Sequence, residues 1–127
     1  MGSSLILVAN DEKHMRLALT VILTRAGYKV MSAENGLIAL DSIMRLSHRP
    51  EPVELLLTDI RMPHLTGLEL IYKLAEHRIS LPVIVMTDYG DEELKNRLQH
   101  MGVTGYIDKP FNAKQLINII ADVLRRT

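Results

Sequence analysis

The sequence predicts an α/β fold, (βα)5, in which a doubly wound sheet of five parallel strands has a helix after each strand. Five short apolar runs alternate with five segments of helical periodicity, at intervals of roughly 20–30 residues. The third run carries no charge after Glu54, as expected for a strand that is buried on both faces. A chain of 127 residues forms one domain of this type and buries roughly two thirds of its unfolded surface.

The first half of the chain contains two strand–helix units. The first strand is predicted at Leu5–Ala9, and apolar residues at i, i+4 and i+7 predict a helix after it. Gly27 ends that helix, as a C′ glycine does. The second strand is predicted at Tyr28–Ser32, and Glu34-Asn35-Gly36 opens the second helix. The residues predicted to face inward are Met15, Leu19, Ile22, Leu23 and Ala26 in the first helix, and Leu37, Leu40, Ile43, Met44 and Leu46 in the second.

The second half contains three further units after a polar loop at 47–52. The strands are predicted at Val53–Thr58, Leu81–Met86 and Val103–Ile107, with helices at 68–74, 91–101 and from Asn112 onward. Only three apolar residues anchor the helix at 91–101, which suits either an element that can move or an ordinary exposed helix. The last helix opens with Asn112 as N-cap and Gln115 at N3, a pair similar to a capping box.

Composition excludes several classes of protein. There is no cysteine, so neither a disulfide framework nor a thiolate site exists. Fifteen basic and fifteen acidic residues leave no net charge, which argues against direct nucleic-acid binding. No apolar run is long enough to span a membrane, and a cytoplasmic location is expected. Residues 1–4 are interpreted as a tail or cloning remnant, and residues 5–127 as the domain.

Polar residues that could bind a ligand or take part in a reaction follow four of the predicted strands. Asn10 and Asp11 follow the first strand, Asp59 the third, Thr87 the fourth and Lys109 the fifth. If the strand order is 2-1-3-4-5, the first and third strands are neighbours at the switch point, where ligands bind in open α/β sheets. Each residue alone has an ordinary interpretation: a helix cap for Asp11, a loop cap for Asp59, a strand-end hydroxyl for Thr87 and a solvated lysine for Lys109. Their joint occurrence at strand ends favours one shared site.

The predicted site suits a metal ion and a phosphoryl group. Two carboxylates about 4 Å apart repel by about 4 kcal/mol at an effective dielectric constant of 20, so Asp11 and Asp59 need compensation. Oxygen ligands in an open site suit Mg²⁺, which also bridges to phosphate. Lys109 and the Thr87 hydroxyl can both donate to phosphoryl oxygens. Asp59 is therefore predicted to be a nucleophile that accepts a phosphoryl group.

Four segments resemble, in their order and spacing, the motifs of the receiver domain of bacterial two-component response regulators, the CheY-like family. They are Ile6–Glu12, Leu57–Gly67 with Asp59 and Pro63, Val85–Thr87, and Tyr106–Phe111. The resemblance covers essentially the whole chain and implies a flavodoxin-like fold with strand order 2-1-3-4-5.

The resemblance implies a role for each matching residue. Asp59 would take the phosphoryl group from the phosphohistidine of a sensor histidine kinase or phosphotransfer protein. Asp11, Asp59 and the backbone carbonyl of Arg61 would bind Mg²⁺, while Thr87 and Lys109 would hold the phosphoryl oxygens. Tyr106 would turn inward when Thr87 moves toward the phosphoryl group. The Lys109–Pro110 peptide bond is expected to be cis.

The resemblance also implies a signalling function. The domain would be a phosphorylation-dependent switch that catalyses only its own phosphoryl transfer and dephosphorylation. Phosphorylation would alter the surface of the fourth helix, fifth strand and fifth helix, which would bind an effector or form a homodimer. The sequence leaves open whether the chain stands alone or belongs to a longer regulator. The alternative is a receiver-like protein-binding module that works without phosphorylation.

Two residues depart from the family pattern. Asn10 replaces a usual acidic residue, so it would reach Mg²⁺ only through a water molecule, and the metal would bind more weakly. Asp88 stands where a small residue is usual, and Tyr89 follows it; both are expected to modulate access to Asp59 and the lifetime of the phosphoryl group.

Two other functions are poorly supported by the sequence. A phosphatase of the haloacid-dehalogenase type needs a second Asp where Arg61 stands. A flavodoxin-like electron carrier needs a phosphate-binding first loop, and Asn10-Asp11-Glu12 would repel phosphate.

Overall fold

The computed structural model describes residues 3–88 and 91–126. The elements in chain order are β1 (Leu5–Ala9), α1 (Lys13–Arg25), β2 (Lys29–Ala33), α2 (Gly36–Leu46), β3 (Leu55–Thr58), α3 (Gly67–Glu76), β4 (Val83–Asp88), α4 (Glu92–His100), β5 (Gly105–Lys109) and α5 (Ala113–Arg126). The predicted alternation of five strands and five helices is confirmed.

The strands form one parallel sheet in the order β2-β1-β3-β4-β5, which confirms the predicted topology. The three inner strands are almost wholly buried because their apolar side chains face helices on both sides. β1 and β3 are adjacent, with Ala9 opposite Thr58, so the residues that follow both strands lie at the same edge.

Two hydrophobic cores lie on opposite faces of the sheet. One is formed by alternate strand residues with apolar residues of α2, α3 and α4, and includes Leu56 and Leu70. The other joins the remaining strand residues to α1 and α5, and includes Leu57 and Leu116. This alternation follows from the two-residue period of the strands.

The helix termini agree with the sequence signals in most places. Gly27 follows α1 with a φ of 99°, and the N-cap interpretation of Asn112 with Gln115 is confirmed by reciprocal hydrogen bonds of 2.9 and 2.8 Å. Glu12, however, is the N-cap of α1, where its carboxylate accepts from His14 N and Met15 N.

The prediction for the inward face of α2 was wrong at two positions. Leu37 is 51% exposed and Met44 is 38% exposed. The buried residues of α2 are instead Gly36, Ala39, Ser42 and Ile43. Small residues face inward because the start of α2 lies against the loop before α3, where a Cβ on Gly36 would come within 2.2 Å of the Leu65 carbonyl oxygen.

Four strands begin one or two residues later than predicted: β2 at Lys29, β3 at Leu55, β4 at Val83 and β5 at Gly105. β4 begins at Val83 because Pro82, which lacks an N–H, only accepts a hydrogen bond, from Leu56 N. β5 begins at Gly105 and continues through Asp108 and Lys109, so these two side chains belong to the end of the strand itself. Among the described residues, no helix has the length and apolar character required to cross a bilayer.

Gly67 permits a close approach between the start of α3 and the end of β3. Its N–H donates to the Ile60 carbonyl at 2.8 Å, and a Cβ at position 67 would lie 2.2 Å from the Asp59 carbonyl oxygen. Both neighbours are backbone, so they cannot move without shifting the loop that carries Asp59.

Gly67→Ala is therefore expected to lower the free energy of unfolding by about 3 kcal/mol, the upper part of the range for overpacking. Gly105→Ala is the matched control, because its Cβ would meet only side-chain carbons, the nearest at 3.4 Å. Urea denaturation of both variants measures the difference. Equal stability of the two variants would contradict the close approach described above.

Candidate functional site

Asp59 lies directly after β3, at the carboxyl edge of the sheet. The strand before it, Leu55–Thr58, is fully buried. The backbone N–H of Asp59 donates to the Ala9 carbonyl at 2.9 Å, so the pairing between β1 and β3 extends one residue past the strand. This pairing fixes the backbone at the point where the carboxylate leaves the sheet.

Three donors hold the Asp59 carboxylate. Lys109 Nζ donates to Oδ1 and Oδ2, both at 3.1 Å. The Ile60 backbone N–H donates to Oδ1 at 2.9 Å, and Asn10 Nδ2 approaches Oδ2 at 3.4 Å. The Asp59 side chain is only 14% exposed and that of Lys109 is 28% exposed. The sequence-predicted residues of β1, β3 and β5 therefore meet at one carboxylate.

Asn10 is held rigidly beside this carboxylate. It is 1% exposed, and its Oδ1 accepts from Glu12 N at 2.8 Å. Arg16 Nη1 donates to the Asn10 backbone carbonyl at 2.9 Å. These contacts orient the amide so that its NH₂ group points toward Asp59. An acidic residue at this position would instead bring a second negative charge to within hydrogen-bonding distance of Asp59.

Asp11 lies two residues after β1, with an exposed side chain. No hydrogen bond or ion pair joins it to another residue in the described ranges, and the alternative of a helix cap is not observed because Glu12 takes that position. Its carboxylate is thus free to accept a ligand.

A cavity of about 370 Å³ opens beside Asp59. Arg61, Thr87, Asp88 and Lys109 are among the residues that line it. Asp88 is exposed at the end of β4, while Tyr89 lies outside the described residues. A larger cavity, of about 470 Å³, lies near the C-terminal ends of α2 and α3 and includes none of the predicted site residues. The chemistry of the side chains, and not cavity size, identifies the candidate site.

Thr87 has a partner that the sequence analysis missed. The side chain is 1% exposed, and its hydroxyl donates to Asp108 Oδ1 at 2.7 Å. The Ile107 carbonyl is a second, longer acceptor at 3.3 Å. Thr87 is at the predicted strand end and lines the cavity, but its proton is directed toward β5 and away from Asp59.

Lys95 of α4 completes this cluster. It is 8% exposed and donates to Asp108 Oδ2 at 2.8 Å and to Glu92 at 3.3 Å. Its ammonium group also lies 5.4 Å from the centre of the Tyr106 ring. Lys95 therefore connects α4 to β5. The available sequence signal was an acidic residue just before Lys109 and a lysine one residue after the apolar anchor Leu94.

The ion pair shifts the ionisation of both partners. The hydrogen bonds from Lys95 and then Thr87 hold the pKa of Asp108 below its ordinary value. The bond to Asp108 raises the pKa of Lys95, although burial acts in the opposite direction. Both groups are charged at neutral pH.

Two further sequence expectations concern β5. The Lys109–Pro110 peptide bond is cis, as predicted. Tyr106 is partly buried and packs against the core beside α4. The predicted inward turn of its ring remains a prediction.

Two carboxylates at this edge, Asp59 and the exposed Asp11, offer oxygen ligands of the kind that Mg²⁺ prefers, and Arg61 lines the cavity beside Asp59. Mg²⁺ binds through one or two carboxylates and keeps several waters. No group of three or more His, Asp or Glu side chains capable of holding a metal occurs among the described residues.

Known proteins are similar to this chain in sequence and fold. The family model for the response regulator receiver domain matches residues 6–121. The phosphate regulon transcriptional regulatory protein PhoB of Pseudomonas aeruginosa is 34% identical over 129 residues, which cover 100% of this chain and 54% of PhoB. Sporulation initiation phosphotransferase F of Bacillus subtilis is 27% identical over 124 residues, covering 98% of this chain and 96% of that protein.

The similarity extends to solved structures. The crystal structure of FixJ-N has a TM-score of 0.87 at 27% identity, and the match covers 100% of this chain and 98% of that one. The chain spans about half the length of several of the curated relatives it matches, with 54% of PhoB and 57% of FixJ from Bradyrhizobium diazoefficiens covered.

Lys95→Met is expected to destabilise the fold at neutral pH more than Lys73→Met, whose ion pair with Glu76 is exposed. Because the folded-state pKa of Asp108 is lowered, its contribution is present above the unfolded value and is lost as pH falls through the folded value. Because the pKa of Lys95 is raised, its contribution is present below the unfolded value and lost as pH rises through the folded one.

The stability deficit of Lys95→Met should therefore be widest between about pH 4 and about pH 10, with unfolded-state values taken as reference. Urea denaturation of wild type and both variants across this range and below it provides the measurement. A deficit that stays constant as Asp108 becomes protonated would show that the pair does not contribute.

Proposed function

The chain belongs to the response regulator receiver domain family of two-component signalling, and on this basis we propose that it is a phosphorylation-dependent switch whose phosphoacceptor is Asp59. One observation carries the proposal. The Asp59 carboxylate lies at the sheet edge, bound by Lys109 at 3.1 Å and open to a cavity. We further propose that residues 5–127 constitute the receiver domain.

The proposed reaction is transfer of a phosphoryl group to a carboxylate oxygen of Asp59. The donor is the phosphohistidine of a sensor histidine kinase or a phosphotransfer protein. The new bond joins phosphorus to the Asp59 oxygen as the phosphorus–nitrogen bond breaks, and the leaving imidazole nitrogen takes a proton. The domain performs this transfer and the later hydrolysis on itself, and it is not an enzyme acting on a separate substrate.

The residues around Asp59 support this chemistry. Lys109 neutralises the carboxylate at rest and can follow the negative charge onto the phosphoryl oxygens, since ammonium–phosphate contacts are strong. The Ile60 N–H and the Asn10 amide restrict the carboxylate to a narrow range of orientations. A fixed nucleophile lowers the entropic cost of reaction.

Mg²⁺, when bound, would supply positive charge between the phosphoryl oxygens and the acidic residues. Asp11, Asp59 and the Arg61 carbonyl would hold it, and Asn10 would contribute only through a water molecule. The unpartnered carboxylate of Asp11 supports this assignment. Asn10 gives the site one negative charge fewer than an acidic residue would, so the affinity for the metal is expected to be modest.

We propose that the signal leaves through α4, β5 and α5. Charge-assisted hydrogen bonds from Thr87 and Lys109 to the phosphoryl oxygens would each supply about 1.5–3 kcal/mol, less what is lost when the resting bonds of these groups to Asp108 and Asp59 weaken. A shift from 1:99 to 99:1 needs about 5.5 kcal/mol. Phosphorylation alone would shift the population only partly, and an effector or a second copy of the domain would complete the change. Transcriptional regulators among the relatives extend beyond the matched region, so an effector domain linked to a receiver domain is one form that such a partner can take.

A second candidate function is a receiver-like module that binds its partner without phosphorylation. Two observations favour it, namely the amide at position 10 and the commitment of the Thr87 hydroxyl to Asp108. The phosphorylation test below distinguishes the two functions.

Incubation with Mg²⁺ and a small phosphodonor, acetyl phosphate or phosphoramidate, is expected to add about 80 Da to the wild-type protein, the mass of one phosphoryl group. Asp59→Asn should remove the adduct, because an amide cannot accept the phosphoryl group. Intact mass spectrometry measures the change. Asp41→Asn is the control, since Asp41 is exposed on α2 and forms an ion pair with Arg45. An adduct that persists in Asp59→Asn would contradict the assignment, and its absence from wild type would favour the phosphorylation-independent module.

Asn10→Asp is expected to tighten Mg²⁺ binding about ten-fold, because metal affinity in oxygen-ligand sites rises with the number of charged ligands. Isothermal titration calorimetry with MgCl₂ measures the affinity. Asn35→Asp makes the same chemical change at the N-cap of α2 and should leave the affinity unchanged. Unchanged binding by Asn10→Asp would show that position 10 does not influence the metal.

A further inference from the structure

The Lys95–Asp108 ion pair, which contacts Thr87, is not used by the proposed phosphoryl transfer. We infer that Asp108, oriented by Lys95, is a positioning residue that competes with the phosphoryl group for the Thr87 hydroxyl. The Lys95–Asp108 pair would then set how readily the site adopts its phosphorylated state. The inference rests on the proposed function, since it concerns the switch at Asp59.

The competition follows from the single proton of a hydroxyl group. Thr87 can donate one hydrogen bond at a time. In the structure it donates to a charged oxygen, Asp108 Oδ1, at 2.7 Å. A phosphoryl oxygen on Asp59 can accept a hydrogen bond from this hydroxyl group only if the hydrogen bond to Asp108 is broken. Thr87 lines the same cavity as Asp59 and Lys109, so a rotation of its side chain brings the hydroxyl within reach of that space.

Lys95 determines where the Asp108 carboxylate points. Its ammonium group holds Oδ2 at 2.8 Å, which leaves Oδ1 directed at Thr87. Lys95 is itself buried, with Glu92 as a second partner and the Tyr106 ring beside it. The β4–β5 pairing places Thr87 directly opposite Asp108, so a rigid sheet supports the contact.

The exchange of partners is close to balanced in energy. Both acceptors of the Thr87 proton are anionic, so one charge-assisted hydrogen bond replaces another. The Asp108 side chain is 31% exposed, and water can take the place of Thr87 at Oδ1. The hydrogen bond from Thr87 to Asp108 in the unphosphorylated state therefore offsets most of the free energy that a hydrogen bond from Thr87 to the phosphoryl group would supply.

The same contacts couple Thr87 to α4. When Thr87 leaves, Asp108 keeps only Lys95 as a side-chain partner among the described residues. The carboxylate can then rotate, and the ammonium group on α4 follows it. The movement would reach the surface of α4 through the Lys95 side chain, which packs beside Tyr106.

The test is the affinity for beryllofluoride with Mg²⁺, a stable mimic of a phosphoryl group on a carboxylate. Asp108→Ala is expected to tighten apparent binding about ten-fold, the size of one charge-assisted hydrogen bond. Asp108→Asn retains an acceptor without charge and should tighten it less. Asp41→Ala, an exposed carboxylate on α2, is the control and should leave it unchanged. NMR titration measures each affinity and shows whether each variant is folded.

A double-mutant cycle separates competition from a structural effect. In Thr87→Val, which has no hydroxyl, Asp108→Ala should no longer change beryllofluoride affinity. Equal tightening with and without the Thr87 hydroxyl would overturn the inference, as would unchanged or weaker binding by Asp108→Ala in the wild-type background. If wild type itself does not bind beryllofluoride, the proposed function fails and the inference falls with it; wild-type binding with no response to Asp108 refutes the inference alone.

Discussion

The ion pair between Lys109 and Asp59 is the interaction on which the candidate site depends. It joins the ends of β5 and β3 across the intervening β4, with Nζ at 3.1 Å from each carboxylate oxygen. A parallel sheet brings these ends to one edge, and helices on both faces hold the strands in place. Lys109 therefore binds the carboxylate of a residue that lies 50 positions earlier in the chain. A partly buried carboxylate needs such a cation, and the same cation is available to an incoming phosphoryl group.

The other residues at this edge determine the net charge around the Lys109–Asp59 pair and the position of the Thr87 hydroxyl. Asn10 contributes a buried amide donor, so the acidic character rests on Asp59 and the exposed Asp11. On the other side of β4, a second ion pair, Lys95–Asp108, engages the Thr87 hydroxyl. In the proposed function, the Lys109–Asp59 pair would prepare the nucleophile, and the Lys95–Asp108 pair would hold the hydroxyl group that responds to its phosphorylation.

Sequence periodicity was sufficient to predict the element order and the strand ends that carry Asn10, Asp59 and Lys109, whereas the strand order 2-1-3-4-5 came from the resemblance to receiver domains. The element order and the strand ends depend on patterns within one element, or on the rule that parallel strands end at a common edge. The inward face of α2 was mispredicted at Leu37 and Met44 because a close backbone contact at Gly36 sets how the helix packs. The Lys95–Asp108–Thr87 cluster depends on strand register and on the position of α4. A mostly polar helix gives no periodic signal that would place its lysine against β5.

The most direct test of the account is to locate the phosphoryl group chemically. Wild-type protein treated with Mg²⁺ and acetyl phosphate is reduced with borohydride, which converts an aspartyl phosphate to homoserine, and is then mapped by tandem mass spectrometry. The account predicts homoserine at position 59 and at no other acidic residue. Reduction at Asp11, Asp88 or Asp108 with Asp59 unmodified would contradict it.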